Sequence, residues 1–125
     1  MKISARRRPP RQRKYRNLPT GRFDSRREAA TYLRLCAMQA ATEARYRVVR
    51  IERQVPFQLL PRQLDERTGR LIEREVKYIA DFVVTYADDR VEVIDVKSPV
   101  TKKLPTYIIK RKLMLWVHKI RIIEA

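Results

Sequence analysis

Two aspartates and a lysine interrupt the most strand-like stretch of this chain. Residues 78–97 read YIADFVVTYADDRVEVIDVK, and Asp81, Asp95 and Lys97 stand in it among β-branched and aromatic residues that favour a half-buried sheet. Burying charge costs free energy unless the charge is paired, metal-bound or put to use. Side chains alternate along a strand, so Asp95 and Lys97 share a face with Val91 and Val93, while Asp81 shares one with Ile79 and Val83. Two carboxylates directly across a strand pair repel each other and are tolerated where a divalent cation lies between them. Oxygen donors with few nitrogens or sulfurs favour Mg²⁺ or Mn²⁺. Lys97, beside the acids, could orient or deprotonate a water or steady charge developing on a phosphate. The chemistry such a cluster serves is metal-assisted hydrolysis of a phosphodiester. The competing reading is a structural ion pair at the sheet's edge, because ion-pair networks commonly imitate sites.

Whether the two acids meet depends on the turn between the strands. With Ala87-Asp88-Asp89 as the loop, Tyr86 pairs with Arg90 and Asp81 falls opposite Asp95. With Asp88-Asp89 alone, Asp81 falls opposite Val96 and the acids face apart; a bulge would restore the cluster. The loop contains neither Gly nor Asn, which disfavours a tight two-residue turn, so the register that joins the acids is expected.

The elements that must hold this hairpin can be read along the chain. Residues 1–20 form a basic arm and residues 21–125 a single domain of a size that supports one modest core. The first 23 residues hold no acid; Arg6, Arg7 and Arg8 head a run of cations interspersed with Pro9, Pro10 and Pro19, the composition of a flexible phosphate-binding arm or a solvated tail. Ser25 and Glu28 have capping-box spacing, and Ala29, Leu33, Cys36, Ala37, Ala40 and Ala44 predict an amphipathic helix ending near Tyr46. RVVRIERQVPFQLLP reads as a strand closed by Pro61, with Pro56 marking an edge or bulge. DERTG at 65–69 is a turn, and the hairpin strands follow near 73–86 and 91–97. Beyond the basic loop SPVTKKLP, Thr106 can cap a second helix through Val117 that turns Ile109, Leu113, Trp116 and Val117 to the core, and HKIRIIEA can supply a last strand. The order predicts an α/β fold: a mixed central sheet with a β-hairpin core, flanked by helices.

Thirty Lys and Arg stand against 14 Asp and Glu, a net charge of +16 in 125 residues, which calls for a polyanionic partner, most simply nucleic acid. One cysteine, Cys36, excludes an internal disulfide and reads as a small buried hydrophobe; one histidine, His118, excludes zinc sites built from several Cys and His ligands. No apolar run approaches the ~20 residues of a spanning helix, the N-terminus lacks the apolar core of a secretory signal, and the arm has little to insert into a bilayer. A cytoplasmic protein with no membrane partner is expected.

The hairpin resembles the PD-(D/E)XK nuclease superfamily. Asp95-Val96-Lys97 fits its (D/E)-x-K element, and Asp81, fourteen residues earlier on the preceding strand, fits its first acid, with Ala80 where that motif has proline. KYRN at 14–17, RFDSRREAATYLRL at 22–35, RQVPFQLLP at 53–61, KYIADFVV at 77–84, VIDVKSPVTK at 93–102 and IKRKLM at 109–114 make the chain similar to small phage and prophage endonucleases that resolve branched DNA, including Holliday junctions. That resemblance implies a restriction-endonuclease-like fold, a phage- or prophage-encoded protein acting in a bacterial cytoplasm, and a Mg²⁺-dependent endonuclease in which Mn²⁺ can substitute and no small-molecule cofactor is used. Asp81 and Asp95 would bind the metal with the Val96 carbonyl as a further ligand, Glu28 would reach it directly or through water, and Lys97 would act on the attacking water. Glu28 has the competing role of helix cap. Lys102, Lys103, Lys110 and Lys112, with Arg111, are natural phosphate contacts alongside the arm, although helical spacing keeps residues 110–112 from all facing one way. Cutting two strands of a junction symmetrically suits a homodimer, with the Ala-rich first helix a candidate interface. The alternative function is a non-catalytic basic nucleic-acid-binding protein, which the charge suits equally and which leaves Asp81, Asp95 and Lys97 unexplained.

Overall fold

The computed structural model describes Phe23 and residues 25–125. The basic arm at 1–20, with Arg6, Arg7 and Arg8, lies outside the described residues. Ser25 caps helix α1 (Arg26–Ala37), its Oγ accepting from the Glu28 N–H at 3.0 Å. Strands β1 (Val48–Leu60), β2 (Gln63–Leu64), β3 (Leu71–Glu73), β4 (Val76–Tyr86) and β5 (Val91–Asp95) follow, then helix α2 (Pro105–His118) and β6 (Ile123–Glu124). The main sheet runs β1-β4-β5-β6; the β1–β4 and β4–β5 pairs are antiparallel and β5–β6 is parallel. The fold is thus mixed α/β, with a mainly antiparallel sheet flanked by helices. β1 is an edge strand, which is where Pro56 can stand without removing a needed donor. A second, two-stranded sheet, β2–β3, was not expected; it closes on the Asp65 turn, where Oδ1 accepts from the Arg67 and Thr68 N–H groups and Gly69 takes φ 76°.

The two helices pack separate clusters. Leu35 of α1 joins Val48, Phe82, Val84, Tyr86 and Ile94, with Tyr32 and Ile51 against them. Tyr107 and Met114 of α2 join Leu59, Tyr78, Ala80, Val83, Val93 and Ile122, with Val55 and Phe57 against them. Apolar residues of β1 therefore change cluster between Ile51 and Val55, and the even-numbered ones of β4 change between Ala80 and Phe82, while Val83 stays with the α2 cluster. Gln54 and Asp81 occupy those breaks, and Gln54 has φ 53°.

Several local expectations are corrected. α1 ends at Ala37 and gives way to a short 3₁₀ turn (Met38–Ala40), so Ala44 and Tyr46 lie in a turn rather than a helix. Its inward face is Glu28, Ala29, Thr31 and Leu35, whereas Leu33, Ala37 and Ala40 are exposed and Cys36 is half-buried. Leu104, not Thr106, is the N-cap of α2; no side chain caps it, and Pro105 occupies the first turn. Residues 113–117 are apolar without a break, so the pattern fits several faces: Tyr107 and Met114 are buried and Leu113 partly so, while Ile109, Trp116 and Val117 are exposed, Trp116 at 75%. We expect Met114→Ala to cost about 2–5 kcal/mol and Trp116→Ala to stay within about 0.5 kcal/mol, read from urea unfolding midpoints. The reverse order would show that α2 is seated on its other face.

Candidate active site

The β4–β5 hairpin has the register that joins the acids. Phe82 pairs with Ile94 and Thr85 with Val91, and the Tyr86 N–H donates to the Arg90 carbonyl at 2.9 Å, leaving Ala87-Asp88-Asp89 as the loop. Asp89 supplies the left-handed residue, φ 73°, that a glycine would otherwise provide. Continued by one residue, that register sets Asp81 opposite Asp95. The Asp81 carboxylate also reaches across the pair, where Oδ2 accepts from the Val96 N–H at 2.9 Å.

Asp95 is the most enclosed of the charged groups, 1% exposed. Its Oδ2 is shielded from solvent and receives no hydrogen bond, although Lys97 Nζ stands 3.1 Å away at ion-pair distance. Burial, reinforced by the neighbouring Asp81 carboxylate and opposed by Lys97, pushes the Asp95 carboxyl up from 3.8 to about 7. The buried Tyr78 hydroxyl, likewise without a hydrogen-bond partner, is raised above the ordinary phenol range by desolvation and then by Asp95. Lys97 is thus the cation set against the buried Asp95 carboxylate, while Asp81 is held by the Val96 N–H.

Helix α1 and strand β1 bring further polar groups to Asp81. Glu28 is 4% exposed, its Oε2 3.9 Å from the Arg53 guanidinium, which lies 4.0 Å over the Phe23 ring. Gln54 Nε2 donates to Glu28 Oε2 at 3.2 Å and to Asp81 Oδ1 at 3.3 Å. The Glu28 backbone N–H is capped by Ser25, and its carboxylate shares the Gln54 amide with Asp81. Among the described residues, no three His, Cys, Asp or Glu side chains are grouped so as to hold a metal ion together. The donors at hand are the Asp81–Asp95 pair and backbone at Val96, an all-oxygen set that suits a hard cation.

On the other side, Lys97 Nζ lies 4.8 Å over the Tyr107 ring of α2, which helps to fix the direction of the ammonium. The Tyr107 hydroxyl donates to Glu124 Oε2 at 2.6 Å, and Glu124, paired with Asp95 across the parallel strands, also draws Lys102 to 3.9 Å and Arg111 to 3.7 Å. Of the expected phosphate contacts, Lys102 and Lys103 lie in a 3₁₀ turn (Thr101–Lys103) close after Lys97; Lys112 is exposed and Lys110 half-buried. His118 is structural, its Nε2 2.7 Å from the Gln58 carbonyl oxygen.

Residues 12–121 match the family described as "Protein of unknown function (DUF1064)". The chain belongs to the DUF1064 family. No curated protein and no solved structure matches it. In this DUF1064 chain the matched span holds Glu28, Gln54, Asp81, Asp95, Lys97 and Tyr107, the whole cluster except Glu124. Gln54, Tyr78, Tyr107 and Glu124 stand in this cluster and were not singled out from the sequence. Only Glu124 carried a charge that could have drawn attention, and nothing local links any of the four to the hairpin.

Proposed function

We propose that this chain is a Mg²⁺-dependent, structure-selective endonuclease that hydrolyses phosphodiester bonds in branched DNA, on a restriction-endonuclease-like fold and as a homodimer. The observation that carries this reading is the buried Asp95 carboxylate joined to Asp81 by the hairpin register, with Lys97 Nζ 3.1 Å from Asp95 Oδ2, in a chain of net charge +16.

Asp81 and Asp95, with the Val96 carbonyl, would hold Mg²⁺ or Mn²⁺, and Glu28 would support them from α1. Such a cation polarises a phosphate oxygen and lowers the pKa of bound water. The Val96 N–H keeps Asp81 turned toward β5. Lys97, steadied over Tyr107, orients the attacking water and steadies negative charge gathering on the phosphate oxygens. Water adds to phosphorus, one P–O ester bond breaks, and the proton lost by the water balances the one gained by the departing alkoxide. Lys102, Lys103, Lys110 and Lys112, with Arg6, Arg7 and Arg8 of the arm, contact backbone phosphates, so selectivity rests on the shape of the branch.

The test is incubation of purified protein with labelled four-way junction, fork and linear duplex DNA, with Mg²⁺, with Mn²⁺ and with chelator. Branched substrates are expected to be cut faster than linear duplex in either cation and not at all in chelator. Binding of every substrate without cleavage in either cation would replace the nuclease by the non-catalytic nucleic-acid binder. No helix among the described residues is long and apolar enough to cross a membrane.

A further inference from the structure

We propose that Gln54 is a positioning residue for the metal pair: it locks the Asp81 carboxylate and couples Glu28 of α1 to the site without itself touching the cation. This rests on the metallonuclease reading above and goes beyond it by assigning a neutral strand residue to the site.

The β1–β4 register, Arg53 with Phe82 and Val55 with Ala80, puts Gln54 opposite Asp81. At φ 53° its backbone is left-handed in mid-strand, a conformation that costs a non-glycine residue free energy and persists where surroundings over-determine it. If the strand needed only that bend, glycine would supply it without strain. Glutamine supplies something more. Its amide nitrogen carries two N–H donors, and these meet Glu28 Oε2 at 3.2 Å and Asp81 Oδ1 at 3.3 Å. The opposite amide orientation would aim a carbonyl oxygen at two carboxylates, so the assignment follows from charge.

With Oδ1 held by Gln54 and Oδ2 by the Val96 N–H, both oxygens of Asp81 are pinned. The partner acid is held differently, since Asp95 Oδ2 has no aligned hydrogen bond and faces the ammonium of Lys97 at 3.1 Å. The pinned Asp81 carboxylate beside the buried Asp95 makes a preorganised pair for a cation. Gln54 also lies where β1 changes from the α1 cluster to the α2 cluster, and its amide ties Asp81 of β4 to Glu28 of α1.

The experiment is calorimetric titration of the full chain with Mn²⁺, together with melting curves, for wild type, Gln54→Gly, Gln54→Asn and Asp95→Asn. Glycine suits φ 53° and deletes the amide; asparagine tolerates the conformation but is one methylene short of spanning the two acids. Both Gln54 variants are expected to melt at or within a few degrees of wild type and to bind Mn²⁺ about 10- to 100-fold more weakly. The Mg²⁺ concentration for half-maximal junction cleavage should rise in parallel, with the rate at saturating Mg²⁺ changing much less. Gln54→Gly and Gln54→Asn that fold and bind Mn²⁺ within twofold of wild type would overturn the proposal while leaving the nuclease reading intact. Wild-type protein that binds Mn²⁺ no better than Asp95→Asn would overturn both.

Discussion

Asp95→Asn is expected to abolish metal-dependent cleavage, by at least about 10³-fold, and at the same time to stabilise the metal-free protein. The two effects have one cause. Asparagine keeps the volume of the side chain and removes the charge that the site is built to present. Burial and Asp81 raise the Asp95 carboxyl from 3.8 to about 7. A carboxyl whose folded-state pKa is raised binds its proton more tightly in the native state than in the unfolded chain. It therefore costs the fold nothing below about pH 4, becomes increasingly destabilising as pH climbs toward 7, and stays so above. The full penalty is on the order of 4 kcal/mol at 1.36 kcal/mol per tenfold in proton affinity, and the new amide will return only part of it, so a net gain of about 1–3 kcal/mol is expected at pH 8. Urea unfolding of both proteins in chelator at pH 8 and pH 4 checks this. The gain should be present at pH 8 and vanish at pH 4. Adding Mn²⁺ at pH 8 should raise the stability of wild type and leave Asp95→Asn nearly unchanged, because only the native pair binds the cation. An Asp95→Asn protein less stable than wild type at pH 8 would mean that the carboxylate serves as a structural ion-pair partner of Lys97.

Phe82→Ala carries the largest expected cost to the fold, about 3–5 kcal/mol, out of the ~5–15 kcal/mol that holds a domain of this size. Phe82 is fully buried, follows Asp81 on β4, and packs with Leu35, Val48, Val84, Tyr86 and Ile94. Its ring stacks on Tyr32 of α1 at 6.2 Å, and Tyr32 meets Phe23 at 5.3 Å, so one side chain joins the helix that carries Glu28 to the strand that carries Asp81. Removing it opens a cavity between layers that cannot close without moving α1. The urea midpoint should fall at unchanged slope. A loss below about 1 kcal/mol would show that α1 does not depend on this contact for its seat.

The hairpin was legible because its information is local. A three-residue loop and strict alternation decide which side chains face one another, and the residues from Asp81 to Lys97 contain all the terms of that calculation. Asp89 adopting a left-handed φ explains how the loop works without glycine. Charged residues in a strand also announce themselves by type, so Asp81, Asp95 and Lys97 could be singled out. The seating of α2 was not legible, because Ile108, Ile109, Leu113, Met114, Leu115, Trp116 and Val117 offer apolar stripes in several directions. Only the shape of the sheet selects Met114 over Trp116. In α1 the stripe held at Ala29 but not at Ala37 or Ala40, and Leu35 rather than Leu33 went inward. Gln54 was invisible for a different reason. A glutamine in an edge strand has no type-specific signal, and its left-handed backbone is imposed by pairing with residues 26 and 27 positions away. Tyr107 and Glu124 likewise gain meaning only when α2 and β6 return the chain to β5.

The most direct test is the anomalous difference map of a crystal of wild-type protein soaked in Mn²⁺. A peak within about 2.0–2.6 Å of carboxylate oxygens from both Asp81 and Asp95 is the predicted result. An empty Asp81–Asp95 pair in a crystal that binds Mn²⁺ elsewhere, with Lys97 occupying Asp95 Oδ2 in its place, would contradict the account.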